Sequence, residues 1–375
     1  MASEKNTVKE PDLLFLLILS FLFFISLSPA LFGGFFSKLS LFFIFILNVC
    51  YFRFDFKIYV LLFLMTSYFI FKYSVLEYFI IGDWDFSPMV IYLNLMVFIT
   101  IPHDSIKYFH MIRISVFYSI LLGFLASLSS YFLGRDFFVH SLHNKGLIDI
   151  NAFTGFTSIP QTFASLCLLY WMMTIGEKNV LSKLIGTIAM FSSINRTILG
   201  IFIFLSALKH KFYFLIFAIV LFFSASYVYI YVDEGFLTTQ TLSSRTVMMN
   251  NVLTYILSLS FFELLLGSFK VPEFYIYESN VKYIENGFMY LIYYFGFVGF
   301  FGYIVLNVCF LYRMINLSFD YKWNFVFYCL SLTLIVQFMT HEFLFLSFYI
   351  SVAFLIHKLV VVDSNCKSKK YMNMR

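Results

Sequence analysis

Long apolar runs recur along the chain from Leu13 to Val361, and most are separated only by short stretches of Gly, Pro, Asn and charged residues. A helix that crosses a bilayer needs about 20 mainly apolar residues. A chain built this way has few folds open to it besides a bundle of membrane helices. Composition agrees: of 375 residues, 61% are hydrophobic and 12% charged, against about 25% charged in a soluble domain. The 55 Phe and 27 Tyr exceed what one soluble core could hide. These figures exclude a soluble globular enzyme, a disordered chain and a disulfide-stapled secreted domain. At this length roughly 10 to 13 spans fit.

The runs place spans near 13–33, 39–52, 58–71, 88–101, 112–133, 159–175, 181–194, 196–208, 212–232, 287–312, 323–340 and 343–361. The expected fold is therefore an all-α polytopic membrane protein of about 12 helices, forming a single transmembrane domain over 1–375. The stretch 181–208 is open to two readings, two short spans or one bent element, because Ser192, Ser193, Asn195 and Arg196 interrupt it. The run from Leu13 lacks a small-residue cleavage site and reads as a first span, not a cleaved leader. Cys50, Cys167, Cys309, Cys329 and Cys366 form no CxxC pair, and four lie in apolar runs as packing residues. Neither a metal centre nor a disulfide framework is expected.

Charge sets the orientation, because cytoplasmic segments of membrane proteins are enriched in Lys and Arg. Twelve spans with both termini inside put 17 of the 25 basic residues in cytoplasmic segments, with 8 acidic ones, a balance of +9. The outer segments then hold 8 basic and 12 acidic residues, a balance of −4. The reverse orientation inverts this bias. The basic tail 362–375 reads as a cytoplasmic anchor to membrane lipids, not a nucleic-acid arm.

Two outer loops stand out, 134–158 and the much longer 233–286. Long connections in an otherwise economical protein are usually functional or disordered. Within the second, Val247–Leu266 reads as one re-entrant or surface-lying helix broken by Asn250, Asn251 and Glu263. Gly267 is its expected stop, and Val271-Pro272-Glu273 an extended turn.

Several polar residues lie at this outer face. Arg196 follows Ser192-Ser193-Ile194-Asn195 and opens an apolar helix; Arg245 follows Ser243-Ser244. A guanidinium beside free helix N-terminal N–H groups suits phosphate oxygens. The alternative is snorkelling to headgroups or pairing with a loop carboxylate. His143, Lys145, Asp149 and Asn151 cluster in the first loop, where a His or carboxylate can accept a proton from a sugar hydroxyl or be a solvated loop group. His341-Glu342 forms a tight outer turn. Glu285-Asn286 closes the long loop, as a site group or as a helix N-terminal charge. Asp83-Trp84-Asp85 has the spacing of a cation-binding pair, but three residues alone favour a solvated loop. No P-loop, GxGxxG or HExxH is present.

These segments, in this order, resemble the bacterial O-antigen polymerases (Wzy type), which share an architecture with the O-antigen ligases. The resemblance rests on Phe191 to Gly200 around Arg196, on Ser244-Arg245 followed by Val252–Leu266 and Gly267, and on Glu285-Asn286-Gly287-Phe288-Met289-Tyr290-Leu291 with Tyr294-Phe295-Gly296-Phe297-Val298-Gly299. Leu142-His143 with Gly146, Asn151 and Phe153 resembles the family's first-loop motif. It covers about 135–305; the first five spans match only in hydropathy. Two positions depart from the pattern: His143 stands where the family often has Arg, and Glu285 where it often has Asp or His.

What the resemblance implies is a GT-C-like, metal-independent glycosyltransferase of the bacterial inner membrane, needing no cofactor. Its substrates would be undecaprenyl-pyrophosphate-linked oligosaccharides, and its product a lengthened glycan on the non-reducing end of a lipid-linked repeat unit. Arg196 and Arg245 would stabilise the pyrophosphate leaving group, with Glu285 as candidate base. His143, Lys145, Asp149, Asn151 and Asn286 would contact substrate, and a chain-length regulator is an expected partner. The alternatives are an O-antigen ligase, or a flippase or transporter for lipid-linked oligosaccharide. A flippase should carry ionisable residues near the midplane of many helices and no dominant outer loop.

Overall fold

The computed structural model describes residues 11–73, 85–141, 151–178, 180–209, 240–276, 279–340 and 342–372, with side chains undescribed at 209, 240–246, 274–276, 279–281 and 364–372. The expected span 212–232 falls outside them. The described residues are mostly helical. The helices are α1 (Leu13–Ser26), α2 (Pro29–Phe32), α3 (Gly34–Tyr51), α4 (Phe56–Phe71), α5 (Ser87–Thr100), α6 (Ile106–Phe132), α7 (Pro160–Met173), α8 (Val180–Ser192) and α9 (Arg196–Lys209). After these come α10 (Gln240–Leu257), α11 (Phe261–Leu266), α12 (Gly287–Asn316), α13 (Lys322–Met339) and α14 (Leu346–Met372). Two antiparallel hairpins complete the fold, β1 (Val139–Ser141) with β2 (Asn151–Phe153), and β3 (Phe274–Ile276) with β4 (Ser279–Val281).

Five of these helices are long and apolar enough to cross a membrane: α3, α6, α12, α13 and the Leu346–Asp363 part of α14. Large apolar side chains such as Leu13, Phe63 and Leu306 are exposed around the bundle, as a surface facing lipid allows. Between helices, hydroxyls pair: Ser20 on α1 with Ser115 on α6 at 2.9 Å, and Tyr328 on α13 with Ser351 on α14 at 2.9 Å. In hydrocarbon such pairs satisfy groups that have no water to turn to.

The ends of the bundle differ. At the lower end, Arg113 pairs with Glu177, and Arg313 with Asp363 at 3.5 Å. The upper end gathers both hairpins, α11, the N-termini of α7, α9 and α12, and the turn between α13 and α14.

The long loop is built differently from the sequence reading. Val247–Leu266 is not one interrupted helix but two, α10 and α11, separated at Ser258–Ser260. Glu263 does not break a helix; it starts one, in a capping box in which its carboxylate accepts from the Ser260 backbone N–H at 3.1 Å. Gly267 does stop α11, at φ +82°. The stretch 181–208 resolves into two helices, α8 and α9. The first run also splits, because Pro29 and Gly33 follow the end of α1.

The tightest joint in the upper end lies between α11 and a break in α12. Gly296 interrupts α12 with φ +67°. A Cβ there would sit 2.2 Å from the Leu265 carbonyl oxygen, and one on Gly267 would sit 2.3 Å from the Tyr294 carbonyl. Only residues without side chains let these backbones touch. Ser268 N–H donates to the Tyr293 carbonyl at 2.7 Å. Lys72, at the end of α4, seals the joint: its Nζ donates to the carbonyls of Leu266 at 2.7 Å and Tyr294 at 3.2 Å, and lies 4.2 Å from the Phe269 ring centre. The side chain is buried. Two carbonyls at helix ends and an aromatic face supply the negative potential that a buried ammonium needs.

Gly296→Ala and Gly267→Ala should each destabilise the protein by about 2 kcal/mol or more, through positive φ and backbone collision. Gly302→Ala, in α12 but facing open space, should change stability by less than about 0.5 kcal/mol. Thermal unfolding in detergent separates these; equal midpoints for Gly296→Ala and Gly302→Ala would refute the joint.

Candidate functional site

Arg196 is the first residue of α9, as its setting predicts. The turn before it is tight: Ile194 takes φ +50°, and Asn195 caps the helix, its Oδ1 accepting from the Ile198 N–H at 3.0 Å. A β-branched residue at positive φ costs about 1–3 kcal/mol. The strained turn turns the chain back after α8 and sets Arg196 at the upper end of an apolar groove.

That groove, about 680 Å³, runs between α9 and α13 and is walled by Thr197, Gly200, Phe204, Leu330 and Leu334. Ser331–Ile335 of α13 winds as a π-helix along this wall. Such bulges are rare and often accompany functional sites. Gly200 keeps its side open, with nothing within 4 Å of an added Cβ. A half-buried guanidinium at the head of an apolar trough can hold an anionic headgroup while a hydrocarbon tail lies below.

The next layer joins α12, α13 and α7. Asn286 caps α12: its Oδ1 accepts from the N–H groups of Phe288 at 3.0 Å and Met289 at 3.1 Å. Its Nδ2 donates to the Phe338 carbonyl at 2.8 Å, tying α12 to the end of α13. The amide is thus engaged in positioning. Glu285 beside it is half-buried. Gly287 follows because a Cβ there would lie 2.6 Å from Gln337 Oε1. Gln337 is fully buried, and neither amide atom has a partner among the described residues. Gln161, from the start of α7, donates to Thr340 and also hydrogen-bonds Glu342.

Glu342 lies in the turn between α13 and α14 and is 2% exposed. Burial pushes its carboxyl up to about 7, with the Gln161 hydrogen bond opposing the rise. A carboxyl that titrates near neutrality can take or release a proton under cell conditions. The sequence places His341-Glu342 in a turn but gives no sign of this burial; the only hint is Gln161 among apolar residues at the start of a span.

Asn151 opens β2, opposite Ser141. His143, Lys145, Asp149 and His341 lie outside the described residues. Arg245 lies inside α10, which already includes Gln240, so it does not head a helix as expected; its side chain is not described. Among the described residues no group of three or more His, Cys, Asp or Glu side chains could hold a metal ion. Compared with known proteins, the chain matches no family model and no curated sequence.

A carboxyl raised from the ordinary 4.5 to about 7 favours the folded state fully below its unfolded value. That contribution is lost as pH rises through about 7. The wild type should therefore lose stability relative to Glu342→Gln between pH 5 and pH 7.5. Melting midpoints across that range check this; parallel profiles would show that Glu342 does not titrate there.

Proposed function

We propose that this chain is a polysaccharide repeat-unit polymerase of the O-antigen polymerase type. It transfers the growing glycan from undecaprenyl pyrophosphate to the non-reducing end of a lipid-linked repeat unit at the outer face of a bacterial inner membrane. The reading includes about twelve spans, both termini in the cytoplasm, and a separate chain-length regulator as partner.

The observation that carries it is Arg196 at the head of an apolar groove, at the end of the bundle that charge bias assigns to the outside. Polyprenyl pyrophosphate is an anion on a long hydrocarbon, and this arrangement matches both parts. As the glycosidic bond to the diphosphate breaks, charge grows on the leaving oxygen. A guanidinium already in place stabilises that charge without reorganising. Arg245 is the second candidate cation. Glu285 and Glu342 are the candidate proton acceptors for the attacking hydroxyl. Asn286 would act by positioning α12 against α13. The order of motifs along 135–305 supports the same class.

Arg196→Ala and Arg245→Ala, each expressed in a deletion strain, should collapse long polysaccharide to single capped repeats, a loss of at least about 100-fold in polymer, the range for removing one charge-stabilising group. Gly200→Phe should do the same by filling the groove with Arg196 intact. Gel profiles of the lipid-linked glycan read the result. Unchanged chain length in both arginine variants would refute the function, and accumulation of repeat units on the cytoplasmic side would identify a flippase.

A further inference from the structure

The groove at Arg196 is not the only recess at this end, and another is lined by more polar side chains. A separate cavity of about 610 Å³ opens between α1, α3, α5, α12, the segment Lys282–Ile284 and the turn before α14. None of the residues singled out in the sequence for substrate contact lines it. Its chemistry is graded. Lys38 and Lys282 are exposed, and so are the rings of Phe86 and Tyr283, which places all four toward the mouth. Asp85 and Asn94 lie deeper.

The deep groups are acceptors with capacity left over. Asn94 is 1% exposed; its Nδ2 donates to the Leu344 carbonyl at 3.2 Å, while its Oδ1 has no partner among the described residues. A buried acceptor without a donor costs about 1–3 kcal/mol, and Oδ1 has almost no accessible surface, so a donating hydroxyl or water that reached it through a small side-chain shift would offset that cost. Asp85 is held rigidly: Oδ1 accepts from the Ser87 N–H at 2.8 Å, Oδ2 accepts from the Tyr294 hydroxyl, and its backbone N–H donates to the Phe269 carbonyl at 2.9 Å. A carboxylate offers about four acceptor sites, so about two remain. Asn94 lies roughly 10 Å beyond Ser87 along α5, which gives the acceptors the reach of more than one sugar ring. At the mouth, Lys282 pairs with Glu273 at 3.0 Å. Lys38 pairs with no carboxylate among the described residues.

We propose that this cavity, framed by Lys38, Asp85 and Asn94, is a glycan seat separate from the Arg196 groove: hydroxyl groups donate to Asn94 and Asp85 in its depth, and an anionic group rests on Lys38 at its mouth. The proposal rests on the polymerase reading only in naming the glycan as the lipid-linked repeat unit. The anion is either the diphosphate of the carrier or an acidic sugar; both meet Lys38 with the same chemistry.

The test uses the full chain in nanodiscs with three probes: the lipid-linked repeat unit from the host, the free oligosaccharide released from it by mild acid, and undecaprenyl pyrophosphate without sugar. Asn94→Leu should weaken binding of both sugar-bearing probes at least tenfold and leave the sugar-free lipid unchanged. Lys38→Glu, an exposed site where folding is not at stake, should weaken the lipid-linked probe. If it also weakens the free oligosaccharide, the anion is an acidic sugar; if not, it is the diphosphate. Unchanged affinity for both sugar-bearing probes in Asn94→Leu and in Lys38→Glu overturns the seat. Arg196→Ala separates the two readings. Collapse of polymer in that variant with intact sugar binding in the cavity variants leaves the polymerase standing without this seat. Cavity-dependent sugar binding with normal polymer in Arg196→Ala leaves the seat standing without the polymerase.

Discussion

One buried ammonium organises the upper end. Lys72 reaches the carbonyls of Leu266 and Tyr294, which end α11 and precede the break in α12. The two glycines, Gly267 and Gly296, let those helix ends meet without side chains between them. Removing the cation would leave two helix-end carbonyls facing each other; removing either glycine would hold them apart. The joint therefore fixes where α12 bends, and with it where Tyr294 points. Tyr294 is the residue that grips Asp85. The wall of the polar cavity is thus set by a contact between α4 and the long loop.

The same economy explains the polar groups around the α13–α14 turn. A helix end away from water must satisfy its N–H and C=O groups inside the protein. Asn286 does this for α12 and simultaneously braces α13, so one amide sets the spacing of two helices. Gln161 spans from α7 to Thr340 and Glu342 across the same turn. Around this frame several buried polar groups have no hydrogen-bond partner among the described residues, among them Asn94 Oδ1, both amide atoms of Gln337 and the hydroxyls of Thr162, Ser165 and Ser347. Asn94 also lines the polar cavity. Gln337 is packed beneath Gly287, and its role lies in the contact.

How much of this could be read beforehand follows from what is local. Apolar periodicity is local, because lipid demands it residue by residue, and each expected run that falls on described residues carries helix, although the first splits at Pro29 and α14 runs on past Val361 to Met372. Helix stops are local too: Gly267 is legible as one. Partners are not. Lys72 resembles any cation flanking a span, yet its acceptors lie 194 and 222 residues away. Asp85 reads as a solvated loop carboxylate, although a tyrosine 209 residues on fixes it. Glu263 misleads for the opposite reason: its capping partner is three residues away, but within an apolar stretch a single acid looks like an interruption, not a beginning. Arg196 was legible because its whole setting, turn, cap and apolar helix, is contiguous.

The two recesses share one boundary. Met339 lines the groove and Leu344 the cavity, so only the turn carrying Thr340, Glu342 and Phe343 stands between them in the chain. A reaction between two lipid-linked glycans has a geometric difficulty: both substrates carry a diphosphate and a long tail, and like charges repel. On the proposed reading, one diphosphate on Arg196 and the other, where it is the anion at Lys38, would lie apart while their sugars converge. The groove opens between α9 and α13 and the cavity beside α3 and α5, so on that reading each tail would have its own approach. A carboxyl in the dividing turn that exchanges its proton near neutrality would then, in its deprotonated form, be available to a hydroxyl that must lose one. Separation of charge and convergence of sugars impose the same layout, and the Lys72 joint keeps the cavity side of it rigid.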